Sequence, residues 1–299
     1  MAAISKTVRK ALIILVAVVV VAVAMVYALS SMRMGKVYAL VQAPLTAPKD
    51  AVSIAEGQRL YVSRGCGHCH GADLSGVTFI DEPPIGTFTA ANLTTGKGGA
   101  ASRMNDSDFA RAIRNGIGSD GRALIFMPST DFQGMSDEEV GKIVAYIRSV
   151  PPVDKPSVPQ SVGPVGRALF LSGKLPLLVT AELIDHNARA PVQVAAAPTV
   201  EFGRYLATGC TGCHGEHFSG GPIPGGPPHW PAARNITPSG IGSWSEGDFV
   251  KAMRTGVLPD GNAMKEPMPW QSLSKMTDVE LKAMWAYLRT VPARADGNR

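Results

Sequence analysis

The sequence predicts a mainly α protein, built from one N-terminal transmembrane helix and two tandem copies of a small helical domain. Three observations carry this reading: a long uncharged apolar run near the N-terminus, a set of motifs that occurs twice at matching spacing, and helix-opening signatures in both copies. The formal charge of +5 over 299 residues does not point to nucleic acid. Lys6, Arg9, Lys10, Arg33 and Lys36 crowd the first 36 residues with no acid among them, which leaves 24 Lys and Arg against 24 Asp and Glu in the rest. The basic excess belongs to a membrane anchor, and no nucleic-acid partner is expected.

The uncharged run spans Ala11 to Leu29. At helical rise it is long enough to cross a hydrocarbon layer of roughly 30 Å. A cleaved signal peptide would have an apolar region of about 7 to 15 residues and a small-residue exit; here Ala28-Leu29-Ser30 follows the bulky pair Val26-Tyr27. A retained anchor over 1–36 is expected, with its transmembrane helix at about 11–29. Residues 37–52, which include Ala43-Pro44-Leu45-Thr46-Ala47-Pro48, have the composition of a stiffened tether that lifts the body from the lipid.

Beyond the tether the chain repeats itself. Cys66-Gly67-His68-Cys69-His70 returns as Cys210-Thr211-Gly212-Cys213-His214, each with a tyrosine five residues upstream, Tyr61 and Tyr205. Asn92-Leu93-Thr94 returns as Asn235-Ile236-Thr237, and Asp108-Phe109 with Arg114 and Asp120-Gly121 returns as Asp248-Phe249 with Arg254 and Asp260-Gly261. Met127-Pro128 returns as Met268-Pro269, and Tyr146 as Tyr287. Two copies of one domain follow, at 53–153 and 200–293, with a short tail at 294–299.

Each copy opens a middle helix with a variant of the capping box, Asn105 to Asp108 and Ser245 to Asp248. Ser136 to Glu139 and Thr277 to Glu280 match the capping box itself and open a last helix. Val140, Ile143, Val144 and Ile147 then form one apolar stripe, and Leu281, Met284, Trp285 and Leu288 form its counterpart. The Gly- and Pro-rich stretches between helices, such as 220–226, cannot build a core, so a prosthetic group must fill part of each domain.

The two Cys-x-x-Cys-His motifs indicate which group. Three-residue spacing puts both thiols on one helical turn, where they can add to the two vinyl groups along one porphyrin edge, and the following His reaches the iron. Cys66, Cys69, Cys210 and Cys213 are the expected attachment residues, and His70 and His214 the expected proximal ligands, of two covalently bound haem c groups. A four-cysteine zinc site would leave both His unexplained. A thioredoxin-like redox pair needs an enclosing βαβ pattern that neither motif has, and cysteines this close rarely staple long loops.

Methionine in the sixth position closes a haem to substrate and raises its potential. Each copy has a Met-Pro after its attachment motif, at Met127 and Met268. Met135 and Met276 are in equally good register, but each stands just before a helix cap, where it is expected to staple onto Val140 or Leu281. Proline after Met127 and Met268 instead stiffens a non-helical loop, so these two are expected as the distal ligands. His217 and His229 could replace Met268 in the second copy, although His217 reads first as a surface residue or propionate neighbour, and Met264 is disfavoured because its counterpart is Ala123 or Leu124. Arg114 and Arg254 read either as haem-propionate partners or as residues of a solvated helix face. His68 reads as solvent-facing, and His186 carries no signal. The connector 154–199 is rich in proline, yet Gly166 to Leu171 and Leu177 to Val179 are apolar enough to require burial, so it is expected to pack across both domains.

Taken together, the Cys-x-x-Cys-His starts, the Asn-Leu/Ile-Thr segments, Gly240 to Ser245 leading to Asp248-Phe249, and Asp260-Gly261 before Met268-Pro269 resemble the cytochrome c subunits of membrane-bound bacterial alcohol and gluconate dehydrogenases. The resemblance covers most of residues 55–292 and implies two class I-like cytochrome c domains. It also implies that the two haems expected from the motifs serve an electron-transfer protein, not an enzyme, that takes electrons from a dehydrogenase subunit and passes them to quinone, a cytochrome or an oxidase. With the expected single-pass anchor, it places the protein in the bacterial inner membrane with the haem domains facing the periplasm, although the N-terminal anchor itself is read from the apolar run and not from the family. Those subunits commonly carry three haem motifs, whereas this chain has two. The competing reading from another class is a di-haem peroxidase in which one haem gives up its sixth ligand.

Overall fold

The computed structural model describes residues 5–40, 43–156 and 158–298. The first four residues of the anchor, 41–42 of the tether, 157 of the connector and 299 of the tail lie outside the described residues. The helix α1 (Lys6–Met34) begins at an N-cap on Ser5, whose side chain accepts from the Val8 N–H. It runs five residues past each end of the expected span, because polar flanks do not break a helix. Its 29 residues reach about 43 Å at about 1.5 Å per residue, and its apolar side chains point outward. This one N-terminal apolar helix fits a membrane anchor.

In the first copy, α2 (Ala51–Ser63) is followed by the single turn α3 (Gly67–His70), then by α4 (Asp106–Asn115) and α5 (Asp137–Ser149). In the second, α7 (Val200–Ala207) leads to α8 (Thr211–His214), α9 (Pro238–Ile241), α10 (Glu246–Thr255), α11 (Trp270–Leu273) and α12 (Asp278–Leu288). The first and last long helices of each copy cross closely, and glycine permits it. A Cβ at Gly57 would lie 1.9 Å from the Lys142 carbonyl oxygen, and one at Gly203 would lie 1.9 Å from that of Ala283. The predicted stripes are buried: Val140, Ile143, Val144 and Ile147 in one core, and Leu281, Met284 and Leu288 in the other, with Trp285 half-buried. Met135 and Met276 lie in these same cores, as do Val140 and Leu281, their expected staple partners.

A small antiparallel sheet was not predicted. β1 (Thr78–Glu82) and β2 (Gly86–Thr89) form a hairpin with Ile80 opposite Phe88, and β3 (Ser161–Val162) from the connector pairs with β2. The equivalent stretch of the second copy carries Pro222, Pro224, Pro227 and Pro228, which lack ladder donors, and it stays a loop.

The tether does not stand free. Tyr38 N–H donates to the Gly121 carbonyl at 2.8 Å, Leu45 N–H to Ser107 Oγ at 2.9 Å and Ala47 N–H to Asp106 Oδ2 at 2.9 Å, so this segment lies along the first copy. The connector forms α6 (Pro164–Leu171) and a 3-10 turn (Pro176–Glu182). Phe170, Leu175, Leu178 and Val179 build a third apolar cluster with Phe88, and Met34 of the anchor packs against it. Arg167 donates to Ser30 Oγ at 2.7 Å and Ser31 Oγ at 2.9 Å, and Arg33 is paired with Glu182. The connector thus joins anchor and first copy into one packed unit, and Val194, near its end, packs against the second core.

Candidate functional site

Both Cys-x-x-Cys-His motifs fold as the same single helical turn, α3 and α8, so each pair of cysteines and its His share one turn. Cys66 packs against the first core and Cys210 against the second. The cysteines are not joined in disulfides. Among the described residues no three His, Cys, Asp or Glu side chains gather as a metal ion would require, so the two pairs do not make a four-cysteine site. Burial pushes the Cys66 thiol up to about 12, with the Arg64 charge opposing it.

The imidazoles are held in matching ways. His70 Nδ1 lies 2.9 Å from the Ala91 carbonyl oxygen, and His214 Nδ1 lies 2.7 Å from that of Arg234. A proton on Nδ1 donated to a carbonyl leaves the ring lone pair at Nε2, the tautomer a proximal ligand requires. Burial lowers the His70 pKa, which favours the neutral, ligating form. The carbonyls come from the residues just before Asn92 and Asn235, which explains the repeated Asn-Leu/Ile-Thr segment. Asn92 Oδ1 accepts from the Thr94 N–H and Asn92 Nδ2 donates to the Val153 carbonyl. Asn235 Oδ1 accepts from the Thr237 N–H and Asn235 Nδ2 donates to the Arg294 carbonyl, so each loop is tied to the end of its own domain.

Met127 and Met268 are half-buried on the loops between the middle and last helices. Thr180 Oγ1 donates to the Met127 carbonyl at 2.6 Å, and the Met268 N–H donates to the Lys265 carbonyl at 3.1 Å. Arg114 Nε donates to the Met135 carbonyl at 2.8 Å and pairs with Asp137. Arg254 donates to the Ser274 carbonyl and pairs with Asp278 at 2.6 Å. These arginines therefore tie the middle helix to the cap of the last helix, a role neither sequence reading gave them. Met264, like Met268, is half-buried against the second core, while His217 and His229 are exposed. His186 braces the connector, with Nε2 2.9 Å from the Ala181 carbonyl oxygen.

The donor set suits a covalent haem in each copy: two thiols on one turn, an imidazole with its Nδ1 fixed, and a thioether on a loop stiffened by proline. A family profile described as Cytochrome c matches residues 54–151 and 201–292, more than half of the chain. The chain belongs to the cytochrome c family. A cytochrome c domain carries a covalent haem, so this cytochrome has two haem c groups. It is 29% identical over 290 residues to the fructose dehydrogenase cytochrome subunit of Gluconobacter japonicus, covering 86% of this chain and 56% of that one. It is 26% identical over 268 residues to a diheme cytochrome c-type of Cereibacter sphaeroides, covering 80% and 86%. It is 29% identical over 285 residues to the alcohol dehydrogenase (quinone) cytochrome c subunit of Gluconacetobacter polyoxogenes, covering 85% and 58%. The chain thus spans little more than half the length of the two dehydrogenase subunits.

Sequence reasoning missed how the two copies meet. The 3-10 turn Ser129–Asp131, just after Met127, packs on the second attachment turn, and α11, just after Met268, packs on α2 of the first copy. Exposed His68 is solvent-facing as expected, yet its Nε2 also lies 3.3 Å from Ser272 Oγ. Arg59 donates to both carboxylate oxygens of Glu280, at 2.7 and 3.1 Å. Arg64 pairs with Glu139 at 2.7 Å, and Tyr205 donates to Glu139 from the other copy while accepting the Ser136 N–H at 2.9 Å. The available signal was Tyr205 in register with Tyr61, whose hydroxyl stays in its own copy on the Gly71 carbonyl.

Proposed function

We propose that this cytochrome is a membrane-anchored electron-transfer subunit that accepts electrons from a dehydrogenase and passes them on one at a time, without catalysing a reaction itself. When bound, each haem supplies a one-electron ferric/ferrous couple. In this reading residues 53–153 and 200–293 are the haem-carrying domains, 1–36 the anchor and 154–199 the packed connector. Cys66 and Cys69, and Cys210 and Cys213, attach the haems; His70 and His214 are the proximal ligands, and Met127 and Met268 the distal ones. The observation that supports this reading is the matched fixing of His70 and His214 through Nδ1, which leaves the Nε2 lone pair in the tautomer that an iron ligand would need. Burial of Met135 and Met276 in the cores supports the choice of Met127 and Met268.

The dehydrogenase partner rests on the relatives, two of which are cytochrome subunits of fructose and alcohol dehydrogenases. Onward transfer to quinone, a cytochrome or an oxidase, and placement of the domains on the periplasmic face of the bacterial inner membrane, complete the proposal. Gentle detergent extraction from the native membrane, followed by identification of what co-purifies, tests the partner. A dehydrogenase that reduces the cytochrome on addition of its substrate is the expected result. A preparation with no dehydrogenase, whose cytochrome turns over peroxide with a five-coordinate high-spin haem, would contradict it. Protease added to intact spheroplasts should digest the haem body, and full protection would refute the orientation.

A further inference from the structure

The two attachment turns meet the opposite copy in related ways, and the side chains at the two contacts differ. His68 and Gly212 occupy the same place in their motifs, and Asp131 and Ser272 each stand four residues after their Met-Pro methionine. In one contact His68 of the first turn meets Ser272; in the other, the Asp131 carboxylate arrives where Gly212 has no side chain. A Cβ at Gly212 would lie 3.2 Å from each Asp131 carboxylate oxygen. The second attachment turn therefore takes a carboxyl group from the first domain against its backbone.

We propose that Asp131 is a proton-linked tuning residue for the second haem, exchanging a proton with water as the group held by Cys210 and Cys213 changes oxidation state. This rests on the haem-attachment reading given above. When a one-electron acceptor protein takes an electron from the second site, the charge there rises by one, and Asp131 gives up its proton to water. On reduction by a one-electron donor the carboxylate takes a proton back. An ionised Asp131 favours the oxidised state, so deprotonation lowers the second potential.

The surroundings of Asp131 suit such a role. Burial raises its carboxyl to about 7, with a hydrogen bond from Thr130 opposing. The Cys210 thiol is raised to about 12, by burial first and next by the charge of Asp131, with Arg64 opposing. The charged groups on the elements packed against the Asp131 turn are engaged elsewhere. On α4, Asp106 bonds the Ala47 N–H and pairs with Arg148, Asp108 pairs with Arg111, and Arg114 pairs with Asp137. On the turn Pro176–Glu182, Glu182 pairs with Arg33. On the second attachment turn the titratable groups are Cys210, Cys213 and His214, and the nearby Arg64 pairs with Glu139.

The test uses the intact chain in detergent. Its haem content is measured first, and then both potentials are followed by absorbance from pH 5 to pH 9. Met268→His marks the second wave by displacing it. The expected result is two haems, with the marked wave falling as pH rises around pH 7 and the other wave not following it. Asp131→Asn should flatten the marked wave with both haems retained, and Asp131→Glu should restore the slope. A flat marked wave with Asp131 in place, a slope on the other wave alone, or a slope that survives Asp131→Asn would overturn the proposal while leaving the functional reading intact. Absence of haem from the second site would overturn both.

Discussion

The two copies share a framework and differ at their edges. Both cross their outer helices at a glycine, fix the attachment His through Nδ1, and tie the middle helix to the last cap through an arginine. The last helix of the second copy has a complete capping box, in which Glu280 accepts the Thr277 N–H at 2.6 Å, and Arg59 joins it from outside. In the first copy Ser136 caps the Glu139 N–H, but the Glu139 carboxylate is given to Arg64 and Tyr205, and Tyr205 takes the Ser136 N–H in its place. The same short motif thus closes on itself in one copy and opens toward its neighbour in the other. The groups that fix the two attachment-motif imidazoles are alike, and groups at the boundary between copies differ.

The largest expected effect breaks that framework. On the proposal that each haem completes the core of its own copy, Cys210→Ala with Cys213→Ala should leave residues 200–293 protease-sensitive while the first copy stays resistant. Unchanged unfolding and unchanged resistance would contradict the shared-core account. The methionines sharpen it next. Met127→Ala and Met268→Ala should each remove one haem's share of the weak Met-to-iron charge-transfer band and lower its potential. Met135→Ala or Met276→Ala should leave the band in place and cost about 2–5 kcal/mol in denaturant unfolding, as for other buried methionines.

The boundary predictions are smaller. Glu139→Gln leaves Arg64 facing an uncharged partner in a largely buried setting, and a cost of up to about 3 kcal/mol is expected. Glu280→Gln should cost less, because Arg59 keeps Glu56 at 2.7 Å. Double-mutant cycles with Arg64→Met and Arg59→Met would measure both couplings. The smallest effect is on pH dependence. Asp131 has its folded pKa raised to about 7, so its contribution to stability is fully present below its unfolded value of about 4 and is lost as pH rises through about 7. Thermal unfolding should therefore fall between pH 4 and pH 8 relative to Asp131→Asn.

The attachment motifs, the repeat, the anchor and the last-helix stripes were legible because each follows from local spacing that chemistry restricts to a few outcomes. The hairpin Thr78–Thr89 was not, because its alternating residues are few and its third strand comes from the connector, more than seventy residues away. The helical spread of the anchor was missed because charge marks where a span leaves lipid, not where a helix ends. The tether was misread from composition alone, since its prolines suit a spacer and a laid-down segment equally. Cys66, Cys69, His70 and their repeats stand out by local spacing as the proposed site, whereas Asp131 and Tyr205 make contacts across a boundary that no local pattern encodes.

The most direct test of the account is a reductive titration of the intact, detergent-purified chain, with its haem counted after denaturation. Two haems per chain, both low-spin with the methionine band, reduced in two one-electron steps, are the predicted result. One haem per chain, or a second haem that stays five-coordinate and consumes peroxide, would contradict it.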